Sequence, residues 1–164
     1  MTDQPVQQTP AENRWRNAPV LPLNVFAALH KPNRAINPIA IVATVDADGR
    51  PRTAPFGSLR AVTPRLLRLA CNNYHDTYAN LCRDGQVSVA VLAPPNIAVS
   101  IRGRARVVKE QMNIAKHLVA IEIDIEQVKN DMMRRGIIES AAGFTPPEDL
   151  EGFYVGAIAE IEDM

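Results

Sequence analysis

At 164 residues the chain is long enough for one domain with a real core, and its 18 basic and 18 acidic side chains leave no basic excess of the kind nucleic acid or an anionic membrane surface selects. Aromatic residues make up only 5% of the sequence, which also argues against base-stacking platforms. Thirteen prolines among many Val, Ile and Ala point to short segments and sharp turns rather than a helical bundle.

Cys71 and Cys82 are the only cysteines. They form no disulfide framework and no metal-ligand spacing, and both read as small hydrophobes facing the interior. No metal is expected. The start of the chain lacks the basic and apolar blocks of a signal peptide, and no apolar run approaches the ~20 residues that span a bilayer. A cytoplasmic location is therefore expected, with neither membrane nor nucleic acid as partner.

Residues 1–17 are polar and aperiodic and are expected to form a flexible arm, anchored if at all by Trp15. Residues 18–164 then form a single domain. Within 19–30, Leu23, Phe26 and Ala27 fall at helical spacing, and 31–38 is a Pro/Asn loop. The apolar run 39–45 reads as a buried strand, followed by a hairpin turn at Asp48-Gly49.

The return strand, 51–62, places Arg52, Ala54, Phe56, Ser58 and Arg60 on one face. Pro55 and Gly57 within it signal an edge, a bulge, or a close approach of ligand to backbone. A strand over 66–72 leads to the polar corner Asn72–Thr77 and a helix over 74–84, with Asn73, His75 or Asp76 as its cap and Gly85 as its stop.

Strands follow over 86–92 and 97–108, then 118–126 after a loop near Ile114. Antiparallel pairing of the last two would set Arg102 opposite Glu126, Arg104 opposite Asp124 and Arg106 opposite Glu122. This arginine row is first a cross-strand charge ladder and second a ligand-binding row. A short helix is expected over 127–138, a surface excursion over 139–151, and a final strand over 153–161. These elements describe a mainly β barrel or sandwich with a few short helices, and a closed barrel best removes exposed edges.

The ordered set ATVDADGRPRTAPFG, LRLACNN, NL, VSVAVL and IRGRARVV, between residues 39 and 109, resembles the FMN-binding split-barrel family of pyridoxamine 5'-phosphate oxidase-like proteins. The resemblance implies a six-stranded antiparallel split β-barrel of Greek-key type. It further implies a homodimer with an FMN site at the subunit interface. Carried over by position, Arg52 and Thr53 would reach the FMN phosphate and ring edge, continuing into Ala54, Pro55 and Phe56. Cys71, Asn72 and Asn73 would flank the isoalloxazine, and Ser58 would line the same cleft.

Where the family places a Ser-x-Lys phosphate clamp, this chain has His75, Asp76 and Thr77. His75 and Thr77 can still donate hydrogen bonds there, while Asp76 repels a dianion. The Arg-rich, Trp-containing tail of true pyridoxamine phosphate oxidases is also missing, so vitamin B6 oxidation is not implied. The expected function is FMN-dependent oxidation or reduction of a small molecule, with no catalytic side chain assigned. A non-catalytic flavin carrier or sensor, and a split barrel holding deazaflavin or haem, are the alternatives.

Overall fold

The computed structural model describes residues 15–164. The proposed arm therefore lies outside the described residues except for its end, which is anchored. Trp15 packs against the core, its carbonyl accepts from Asn130 Nδ2, and β1 (Asn17–Ala18) pairs with Lys129 and Val128.

Eight antiparallel strands form one sheet, accompanied by α1 (Leu23–His30), α2 (Asp76–Arg83) and α3 (Glu151–Glu162). The other strands are β2 (Ala40–Val45), β3 (Pro51–Phe56), β4 (Arg60–Thr63), β5 (Leu66–Asn72), β6 (Gln86–Ala93), β7 (Ile97–Lys109) and β8 (Leu118–Asn130). Their order is β3-β2-β6-β7-β8-β5-β4, with β1 on β8.

The two ends of this path, β3 and β4, are halves of the single strand expected over 51–62, broken at Gly57-Ser58-Leu59. Counted as one bent strand, they make six strands in a ring that hydrogen bonding leaves open between β3 and β4. The barrel is split rather than closed. Pro55 tolerates this edge because it has no N–H to lose. Gly57 lets Ile36 pack close against the break, since a Cβ there would lie 2.3 Å from Ile36 Cγ2 and displace that side chain. Ser58 ties the break to β5, donating to Ala70 O at 2.9 Å and accepting from Ala70 N at 3.1 Å.

The alternating apolar residues of β6, β7 and β8 meet as foreseen. Val87, Val89, Val99, Ile101, Val119, Ile121 and Ile123 are buried in one core with Leu67 and Leu69 from β5. Arg104 pairs with Asp124 and Arg106 with Glu122 in the expected register, but Arg102 faces Gln127 instead of Glu126. A bulge inserts Glu126 between the paired positions. Gly103 permits it, because a Cβ there would lie 2.4 Å from Asp124 O.

The same bulge explains the helix expected over 127–138. It shifts the inward phase from Ile125 to Val128, so β8 runs on to Asn130 where the alternation looks broken, and an irregular segment follows. The final strand expected over 153–161 is the helix α3, which packs Ala157 and Ile161 against Ala70 of β5 and Leu118 and Ala120 of β8, and also buries Ile158. Cys71 is buried as expected. Cys82 is exposed, because it sits on the outer side of α2.

Candidate functional site

Three pieces of chain converge at the split. The end of β3 and the Gly57-Ser58 link meet the end of β5, and α3 lies across them. Between them is a cavity of about 440 Å³, within the usual range for small-molecule sites. Pro55, Ser58, Cys71, Asn72 and His75 of the expected set all line it. Arg52, Thr53, Ala54, Asn73 and Thr77 do not. Ala54 is in the core, Thr77 is buried in the first turn of α2, Thr53 and Asn73 are exposed, and Arg52 sits on the hairpin.

The polar corner is built by the helix cap. His75 is the N-cap of α2, and its Nδ1 accepts from Thr77 N at 3.1 Å. An accepting Nδ1 places the ring proton of the neutral imidazole on Nε2, which leaves one donor for a ligand. The backbone N–H of His75 donates to Asn72 O at 3.0 Å, closing the corner. The half-buried Asn72 side-chain amide has no protein partner among the described residues and is free to bond a ligand's polar edge.

Cys71 supplies a neutral wall. Burial pushes its thiol up to about 12, so it remains protonated and is not a nucleophile at neutral pH. Ser58 is already committed to Ala70, which makes it a clamp for the fold before it is a ligand contact.

The opposite wall was not legible as a site. Phe153, Tyr154, Ala157 and Ile158 of α3 line it, with Phe144 from the preceding loop. The rings are in mutual contact: Phe144 and Tyr154 meet edge to face at 5.5 Å, Phe153 and Tyr154 at 5.9 Å, and Phe56 and His75 at 5.8 Å. His117 stacks between Phe153 and the exposed Tyr74, extending the row beyond the cavity. Helical spacing of Phe153, Ala157, Ile158 and Ile161 was the available signal, and it competes with the alternating pattern over the same residues.

Strong tethers hold α3 in place. Arg68 donates to Ile161 O at 2.6 Å, Lys109 pairs with Glu160 at 2.9 Å, and Glu160 accepts from the backbone N–H groups of Asn113 and Ile114. Arg60 pairs with Glu162 at 3.1 Å.

No lysine or arginine lines the cavity. Arg52, the cation expected for phosphate, is bound by Asp46 at 2.9 Å and lies 3.5 Å from Asp76. Hydrogen bonds from Arg52 and then Asn80 hold the Asp46 carboxyl below its ordinary range. The arginine row is a charge ladder: Arg106 bonds Glu122 and Asp124, and Arg104 lies 3.9 Å from Glu126. Among the described residues no cluster of His, Cys, Asp and Glu is suited to a metal, and no helix is long and apolar enough to cross a membrane.

The sequence profile of the pyridoxamine 5'-phosphate oxidase family matches residues 30–138, more than half of the chain. The chain belongs to this family. No curated protein sequence matches it. A candidate pyridoxamine 5'-phosphate oxidase from Lactobacillus delbrueckii is a similar solved structure, with a TM-score of 0.57 at 22% identity over 70% of this chain and 98% of that one. An F420 reductase has a TM-score of 0.54 at 16% identity, covering 68% of this chain and 100% of its own. HupZ from Group A Streptococcus has a TM-score of 0.50 at 23% identity, over 65% of this chain and 91% of that one. At these identities the likeness is one of fold. The helix α3 lies beyond residue 138, so its aromatic wall is outside the matched part of the family pattern.

Proposed function

We propose that the cavity at the barrel split binds FMN, and that the chain uses it as a flavin-dependent oxidoreductase acting on a small molecule. The observation that carries this reading is the convergence of Pro55, Cys71, Asn72 and His75 with the aromatic wall of α3 around one cavity of about 440 Å³. These residues suit a flat heteroaromatic ring with a polar edge. The Asn72 amide and His75 Nε2–H would bond the edge, and Phe56, Phe153, Tyr154 and the neutral Cys71 would exclude water from the faces.

When bound, FMN supplies hydride transfer at its ring, and the protein contributes binding and orientation. The phosphate end would lie toward the α2 corner, where Arg52 is the cation of the expected set but shares itself with Asp46 and with Asp76 of α2. We therefore propose a homodimer in which a second copy completes the phosphate end of each site.

Anaerobic titration of the protein with FMN and then with a hydride donor tests this reading. Stoichiometric binding followed by bleaching of the flavin supports it. Protein that takes up no flavin contradicts it. A second reading, a site that recognises the tricyclic ring and tolerates deazaflavin, is favoured by the cavity lining, which holds polar edge groups but no cation. Equal affinity for riboflavin and FMN would select it.

A further inference from the structure

A second cavity, of about 320 Å³, lies at the C-terminal end of α1 and shares no lining residue with the first. His30, Lys31, Arg60 and Glu162 line it, with Pro32 and Ala61 beside them. Lys31 and Arg60 are only 3% and 2% exposed, far below what an ordinary surface cation shows. The backbone that places Lys31 is itself unusual. Lys31, Asn33 and Arg34 have φ of 46°, 60° and 56°, a region costly for side chains with a Cβ.

The charges here are not balanced by the protein. Lys31 Nζ donates to Ile36 O at 3.1 Å and to Gly57 O at 3.2 Å, and its third hydrogen has no partner among the described residues. Arg60 donates to Glu162 at 3.1 Å and to the carbonyls of Gly57, Leu59 and Ala35. Arg34 lies 3.8 Å from the same Glu162. Arg34 and Arg60 thus share one carboxylate, Lys31 has carbonyl partners and no carboxylate, and His30 stands beside them with Nδ1 3.2 Å from Ala61 O. A buried charge without a counterion is strongly disfavoured. Burial, and then the Arg60 guanidinium, push the Lys31 ammonium down to about 7. An anion in the cavity would supply the missing counter-charge, and a dianion matches the excess better than a carboxylate does.

We propose that this second cavity binds a phosphate group, inorganic phosphate or a phosphate monoester, through Lys31 Nζ and Arg60, with His30 alongside. The two cavities share no lining residue, although Ile36 and Gly57, whose carbonyls hold Lys31 and Arg60, line the first. Glu162 has a defined part in it: its carboxylate holds Arg60 and competes with the incoming anion. Arg60 keeps its three carbonyl partners when Glu162 loses its charge, so the site would survive that change.

Calorimetric titration of the full chain with inorganic phosphate, with no flavin added, tests the proposal, with amide chemical shifts separating binding at this site from binding in the first cavity. The wild type should bind phosphate with shifts centred on residues 30–34 and Arg60. Lys31→Met, which keeps the length of the side chain and removes a buried charge, should lose at least tenfold in affinity. Glu162→Gln should bind several-fold more tightly. Absence of binding to the wild type, shifts centred elsewhere, unchanged affinity in Lys31→Met, or weaker binding in Glu162→Gln would each overturn the proposal.

Discussion

Arg52 donates Nε and Nη2 to the carboxylate of Asp46 at 2.9 Å, and its Nε lies 3.5 Å from Asp76 at the start of α2. The arginine expected for the phosphate contact is therefore held between two acids. Asp76→Asn removes one of them and lessens repulsion at the helix corner. FMN affinity should rise a few-fold in this variant and fall in Arg52→Ala, measured by quenching of flavin fluorescence. Unchanged affinity in both would move the phosphate end away from this corner. The effects are limited because exposed charges are screened by solvent and salt.

Glu122 joins two strands by accepting from Arg68 on β5 and Arg106 on β7, each at 2.6 Å. The Arg68 pair is buried, and Arg68 also holds the C-terminal end of α3. Glu122→Ala should cost about 3 kcal/mol or more, because it leaves a buried guanidinium without its counterion. Arg104→Ala should cost less than about 1 kcal/mol and leave flavin binding intact, since its partner Glu126 is exposed and 3.9 Å away. Urea unfolding of the two variants gives the comparison.

Gly103 lets β7 approach the bulged segment of β8. Gly103→Ala should destabilise the chain by about 1–3 kcal/mol, as overpacking does, because its Cβ would meet backbone oxygen rather than a movable side chain. A thermal midpoint unchanged from wild type would contradict the bulge assignment.

The bulge also shows why the sequence was legible up to a point. Alternation of Val119, Ile121, Ile123 and Ile125 gave the strand, and the charges gave two of the three cross-strand pairs. One inserted residue then reversed the phase, and the continuation resembled a helix. Residues 153–161 failed for a related reason. Phe153, Ala157 and Ile161 fit both a period of 2 and a period near 3.6, so the pattern alone does not choose between strand and helix. Ile158, buried in the helix, and the acidic run Glu148, Asp149 and Glu151 at its start favour α3. The β3–β5 half of the cavity was therefore readable from residue order. The α3 half depends on how the chain returns to the barrel, which is a tertiary fact.

Lys31 predicts a pH dependence. Its ordinary value is 10.5, and in the folded chain burial and Arg60 lower it to about 7. Between those values the unfolded chain binds a proton that the folded chain does not, so stability should rise with pH across that window. Below it the penalty is constant. The neighbouring His30, Arg60 and Glu162 remain in Lys31→Met, so the difference between wild type and this variant isolates the lysine. Denaturant midpoints at pH 7 and pH 9.5 should differ more in the wild type than in Lys31→Met, and equal slopes would contradict the assignment.

Asn72, His75 and the aromatic wall of α3 line one cavity, proposed to hold flavin. The most direct test of that proposal is FMN titration of the wild type, Asn72→Ala and Tyr154→Ala, with fluorescence quenching as readout and circular dichroism confirming the fold. Micromolar or tighter binding by the wild type, weakened at least tenfold in both folded variants, is the predicted result. Flavin binding unaffected by either substitution, or no binding by the wild type, would contradict it.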